Sequence, residues 1–128
     1  MNHTSEDLNK ISAAIVHCAL TVHKELGPGL LESVYEACLI KELTDNGWSV
    51  RRQVPMPIYY KGEKLNVDFR IDLLVEEKVI IELKAVEIML PVFNAQLLTY
   101  LKLSEKKLGL LINFNVALLK EGIKRIIL

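Results

Sequence analysis

The sequence predicts an α/β fold with a mixed central β-sheet flanked by helices. Three observations predict it: apolar residues recur at three- and four-residue steps through the first third, the middle third switches to a period of two, and a helical stretch separates two short apolar runs near the end. With 128 residues, 51% hydrophobic and 25% charged, the chain has the size and composition of one globular domain spanning 1–128.

The first helix is expected over 4–26, where Leu8, Ile11, Ile15, Cys18, Val22 and Leu26 form one apolar stripe and Thr4 with Asp7 resembles a capping box. Gly27-Pro28-Gly29 ends it, because proline cannot continue a helix and glycine allows a tight turn. A second helix follows over 30–46, with Val34, Cys38 or Leu39, and Leu43 inward and Gly47 just past its end. Residues 50–54 read as a strand that continues, irregularly because of Pro55 and Pro57, through 58–60 to a turn at Lys61-Gly62-Glu63. Alternation of Leu65, Val67, Phe69, Ile71, Leu73 and Val75 predicts a long strand with one face in the core. Val79-Ile80-Ile81-Glu82-Leu83-Lys84 starts apolar on both faces and reads as a central strand. Pro91 opens a helix over 91–103, and the apolar strand 108–114 that follows should pair parallel to 79–84 through a right-handed crossover; 123–128 supplies a last strand.

Several function classes are disfavoured at once. Sixteen basic and sixteen acidic side chains leave no net charge, so any grip on a polyanion has to be local, at Arg51-Arg52, Lys61/Lys64, Lys102/Lys106/Lys107 or Lys120/Lys124/Arg125. No apolar run is long enough to cross a membrane, and the polar start MNHTSEDLNK lacks the basic and apolar regions of a signal peptide, so a cytoplasmic location is expected. Cys18 and Cys38 show no CxxC spacing and sit in helical patterns, as core thiols do.

The chemistry concentrates in Asp72, Glu82 and Lys84. Side chains two apart on a strand share a face, so Glu82 and Lys84 project together while Leu83 points the other way. If residues 76–78 form a three-residue loop, Val75 faces Val79 and Asp72 falls opposite Glu82; a two-residue loop would shift the register by one. Two facing carboxylates repel unless a cation lies between them, and oxygen donors without histidine or cysteine select Mg²⁺ or Mn²⁺. With Lys84 beside it, such a centre suits phosphodiester hydrolysis. Spacing alone leaves open an ordinary strand-end ion pair.

The segment Gly29-Leu30-Leu31-Glu32-Ser33-Val34-Tyr35-Glu36 resembles the signature of the GxxExxY proteins, a group within the PD-(D/E)XK nuclease-like superfamily. The similarity continues through DFRIDLLV, IIELKAV and LGLLINF and so covers nearly the whole chain. The resemblance implies a restriction-endonuclease-like core, Asp72 and Glu82 as metal ligands, Lys84 as the catalytic lysine, Glu32 as the helix acid that joins the metal site in RecB-like members, and Gln96 with Tyr100 as their QxxxY pair. Ile71 stands where the superfamily usually has proline before the aspartate. The expected activity is cleavage of DNA; the rival is a weakly active or inactive nuclease-fold module that binds nucleic acid or protein, and RNA processing has only the shared chemistry in its favour. Tyr35 is expected to pack or to steady Glu32, Glu36 to be exposed, and His17 and His23 to lie at a surface or an interface. A homodimer through the first helix or the C-terminal LLKEGIKRIIL is expected as well.

Overall fold

The computed structural model describes residues 5–128, so Thr4 of the expected capping box lies outside the described residues. Helix α1 (Ser5–Leu26) and helix α2 (Glu32–Asp45) are followed by strands β1 (Val50–Pro55), β2 (Ile58–Tyr60), β3 (Glu63–Leu65), β4 (Arg70–Val75) and β5 (Val79–Lys84). Helix α3 (Pro91–Ser104), strand β6 (Leu108–Asn113), a short 3-10 turn and strand β7 (Ile123–Ile127) complete the chain. The main sheet has five strands in the order β1-β4-β5-β6-β7. Only β5 and β6 run parallel, joined through α3, and the other neighbours are antiparallel, so the sheet is mixed as expected.

Both faces of the sheet are covered. On one, Ile11, Ile15 and Val22 of α1 and Leu39 and Leu43 of α2 pack with Leu73, Val75, Ile81, Leu83, Leu110 and Ile112. On the other, Leu97 and Leu101 of α3 pack with Val54, Ile71, Leu74, Ile80 and Leu111. A strand buried on both faces must be apolar at consecutive positions, and Val79, Ile80, Ile81 and Leu83 are all buried. Helix α3 comes close because β6 carries glycine at the crossing: a Cβ on Gly109 would lie 2.8 Å from Leu97 Cδ1.

Three expectations change. The alternating stretch from Leu65 is not one strand: Leu65 pairs with Ile58 in a separate two-stranded hairpin, and β4 begins only at Arg70. Nor does β4 keep its apolar residues on one face, since Ile71 packs on the α3 side while Leu73 and Val75 pack on the α1/α2 side. Val34 is exposed and Tyr35 turns inward in its place, while Leu39 and Leu43 are inward as expected. In α3, Leu97 and Leu101 face the core while Val92 in the first turn is exposed. Strand β7 is one edge of the sheet, with Ile127 exposed, and α1 leaves Leu20 and Leu26 exposed. No described helix is long and apolar enough to cross a membrane.

Candidate active site

The β4–β5 turn sets the register. Three residues, 76–78, link Val75 to Val79, with Glu76 and Glu77 both left-handed (φ 54° and 56°) and Lys78 N–H donating to Val75 O at 3.0 Å. Pairing proceeds through Leu74 with Ile80 to Leu73 with Ile81 and then stops. The next pair in that register is Asp72 and Glu82, and here the side chains take over from the ladder: Leu83 N–H donates to Asp72 Oδ2 at 2.8 Å, and Asp72 N–H to Glu82 Oε1 at 3.3 Å. The strands part at the point where two carboxylates stand in for main-chain partners.

Glu82 is 7% exposed, and burial first, then the charge of Asp72, pushes its carboxyl from the ordinary 4.5 up to about 9. Lys84, two residues on, opposes that shift. Its ammonium lies 4.4 Å over the ring of Phe93 in the first turn of α3, a cation–π contact that holds the flexible side chain on the α3 side of the strand. Tyr100, farther along α3, has its phenol raised above the ordinary value by burial and then by the charges of Glu82 and Asp72, which puts it beside the acid pair; its ring meets Phe69 edge-on at 4.7 Å. Gln96 is exposed one turn earlier on the same helix.

Glu32 approaches from α2. Burial raises its carboxyl, Asp72 and then Glu36 add to the shift, and Lys84 counters it, so Glu32 shares the electrostatic field of the same residues. Asp72 and Glu82 form the close pair; among the described residues, no group of three or more histidine, cysteine, aspartate or glutamate side chains is gathered tightly enough to hold a metal ion.

The turn before α2 is fixed by Tyr35. Its hydroxyl donates to Gly27 O at 2.6 Å and accepts from Leu30 N–H at 3.1 Å, while its ring stacks on Phe114 at 4.5 Å and 7°. Phe114 N–H in turn donates to Lys84 O at 2.9 Å, so one side chain ties the start of α2 to the strand end that carries Lys84. The spacing of Gly29, Glu32 and Tyr35 thus has a mechanical reading: Gly29 (φ 101°) makes the turn, Tyr35 clamps it, and Glu32 opens the helix. Tyr35→Phe keeps the stack but loses the clamp, and is expected to lower stability by about 1–2 kcal/mol in a denaturant titration.

Other supports went unread in the sequence. Glu36, expected to be exposed, is 6% exposed, bridged to an Arg52 guanidinium nitrogen at 3.1 Å and accepting from Gln53 Nε2 at 3.0 Å. Consecutive residues of a regular strand face opposite ways; Arg52 and Gln53 both reach Glu36 because Gln53 is left-handed (φ 48°). Asn113, buried beside Lys84 in the β5–β6 register, accepts from Val86 N–H at 3.1 Å and donates to Val86 O at 2.9 Å, fixing the backbone just after Lys84. Phe93 had a signal, since it lies three residues before Gln96 and seven before Tyr100 on one helix face. His23 lies 2.8 Å from Val116 O and belongs to the packing between α1 and the loop after β6, away from the acids.

A five-stranded mixed sheet with helices on both faces is the architecture of a nuclease-type α/β core, and the carboxylates lie where two of its strands part. The chain belongs to the PD-(D/E)XK nuclease superfamily: the family model matches residues 9–126. No curated protein and no solved structure matches it.

Proposed function

We propose that this chain is a Mg²⁺- or Mn²⁺-dependent nuclease that hydrolyses phosphodiester bonds in DNA, working as one domain. The observation that carries this reading is the Asp72/Glu82 pair at the end of the β4–β5 ladder, a half-buried and a buried carboxyl whose repulsion a proton on Glu82 or a bound cation would relieve. The donor set fits a hard divalent ion: oxygen atoms only, from Asp72 and Glu82, with Glu32, which feels the charge of Asp72, proposed as the third. When bound there, the ion supplies Lewis acidity to the scissile phosphate and to the attacking water.

The remaining roles belong to the chain. Lys84, steadied over Phe93, offers a positive charge on the Glu82 face of the strand, where it stabilises the negative charge that builds on phosphorus oxygens. Glu82, its carboxyl raised by burial and then by Asp72, would hold the ion in its ionised form, so its proton is the one that binding would displace. Tyr100 closes the α3 side against Phe69, and Gln96, exposed one turn before it, is assigned to contact the substrate or the attacking water.

Purified protein is expected to cut at least one of single-stranded, double-stranded or branched DNA when Mn²⁺ or Mg²⁺ is added and to stop when the metal is chelated. If no DNA is cut and metal titration releases no heat, the reading fails and the nuclease-fold binding module replaces it. A homodimer paired along β7 is part of the same proposal, read from the mass by light scattering at micromolar concentration.

A further inference from the structure

The β2–β3 hairpin stands apart from the main sheet, and none of its residues from 58 to 65 belongs to the buried core. A lone two-stranded hairpin is marginal in water, so this one adds little to the fold by packing. Its position is informative. Val54 pairs with Ile71 and Pro55 with Arg70, so the chain leaves β1 and returns to β4 at the end of the sheet that carries Asp72.

What the hairpin displays is specific. Tyr59 and Tyr60 are consecutive on β2 and so present one ring on each face of the ribbon, each 62% exposed. Each has a lysine beside it: Tyr59 lies directly across the ribbon from Lys64, and the Lys61 ammonium sits 5.5 Å from the centre of the Tyr60 ring. The hairpin's single acid, Glu63, lies across from Tyr60, leaving an excess of one positive charge on the hairpin. Lys61 and Gly62 are both left-handed (φ 52° and 79°), the tight turn that matches the twist of a hairpin; there a lysine costs more than the usual asparagine, and it is the lysine that reaches the ring. At the base of the hairpin runs an open groove of about 280 Å³, whose lining includes Lys64, Asn66 and Phe69. Phe69, at one end of that lining, meets the Tyr100 ring edge-on at 4.7 Å, and Tyr100 in turn feels the charges of Glu82 and Asp72, so the groove lies on the acid pair's side of the hairpin.

We infer that this hairpin is a single-strand grip: the strand bends around the ribbon so that one unpaired base stacks on Tyr59 on one face and another on Tyr60 on the other, Lys61 and Lys64 contact the flanking phosphates, and the strand continues along the groove toward Asp72 and Glu82. The inference rests on the proposed nuclease reading for its substrate. A single strand is the partner that offers exposed ring faces and regularly spaced negative charge together; in a duplex the base faces are covered by neighbours. Tyrosine serves this role without sequence preference, because every base has a ring face.

The test separates grip from catalysis by measuring binding in EDTA, where no cleavage occurs. Fluorescence anisotropy with a labelled oligothymidylate is expected to show the Tyr59→Ala/Tyr60→Ala protein binding at least about tenfold more weakly than the parent, since each stacked base contributes roughly 5- to 150-fold. The Tyr59→Phe/Tyr60→Phe protein, which keeps both rings, should bind within about twofold of the parent. A 2-aminopurine in the strand should be quenched by the parent and the phenylalanine pair but not by the alanine pair. Circular dichroism confirms that each variant is folded. The inference is overturned if the parent binds no oligothymidylate, if the alanine pair binds as tightly as the parent, or if the phenylalanine pair loses as much as the alanine pair. Intact binding with no cleavage in any metal overturns the nuclease reading and leaves the grip standing.

Discussion

Asp72→Asn is expected to lower metal-dependent DNA cleavage by roughly 10²–10³-fold or more while leaving the fold in place. Asparagine is nearly the same shape and keeps an oxygen that accepts from Leu83 N–H, the bond that Asp72 Oδ2 now makes at 2.8 Å, so the parting of β4 and β5 should survive. What disappears is one negative charge. Asp72 is a cause of the raised Glu82, Glu32 and Tyr100 values, and removing its charge relaxes the repulsion that makes a cation favourable at this place. Lys84→Ala should match that loss of rate by a different route: the acids remain, so titration calorimetry should still detect metal, but the charge on the Glu82 face is gone. Lys84→Arg is not expected to restore the rate, because a planar guanidinium over the Phe93 ring cannot place a compact ammonium where Lys84 does. Initial rates for the three variants against the parent decide the matter; parent-like cleavage by Asp72→Asn and Lys84→Ala would remove both residues from the mechanism.

The parts of this site that were legible in the sequence are those governed by local periodicity. The i, i+2 rule puts Glu82 and Lys84 together, the apolar run from Val79 marks a central strand, and counting the turn residues places Asp72 opposite Glu82, as the continuation of the Leu73–Ile81 pairing requires. What the count could not show is that the ladder ends there, because that depends on where two side chains direct their oxygens. Glu36 was illegible for a longer-range reason: its partners come from β1, and they converge only because Gln53 breaks the strand's alternation with a left-handed φ of 48°. Nothing local marks glutamine for that conformation. The hairpin was half legible. Lys61-Gly62 announced a turn, but alternation through Leu65, Val67 and Phe69 looked like the start of β4, and only the pairing of Leu65 with Ile58 shows otherwise. Both faces of the sheet are covered, so Ile71 and Leu73 can each find a core on opposite sides, and a pattern read for one buried face misassigns them.

The second large effect expected is a coupling between protons, metal and stability centred on Glu82. Its carboxyl stands at about 9 in the metal-free fold against an ordinary 4.5, with burial the main cause and Asp72 the next. Between those values the folded protein holds a proton that the unfolded chain has released, so stability is fully present below the lower value and is lost progressively as pH rises toward the upper one. Metal-free protein should therefore melt at falling temperature as pH increases through neutral, with a total loss on the order of a few kcal/mol across the window. Glu82→Gln keeps an oxygen acceptor for Asp72 N–H and cannot ionise, so its melting temperature should be nearly flat over the same range and higher than the parent's at the alkaline end. Mg²⁺ should act oppositely on the parent. Its binding requires ionised Glu82, so at neutral pH it should release about one proton per ion, and affinity should climb close to tenfold per pH unit until Glu82 is ionised without it. Calorimetric titration in two buffers of different ionisation enthalpy counts that proton directly. A release near zero at pH 7, together with a flat stability profile for the metal-free parent, would mean that Glu82 is already charged and that the acid pair is relieved by solvent, leaving the metal no role in balancing it.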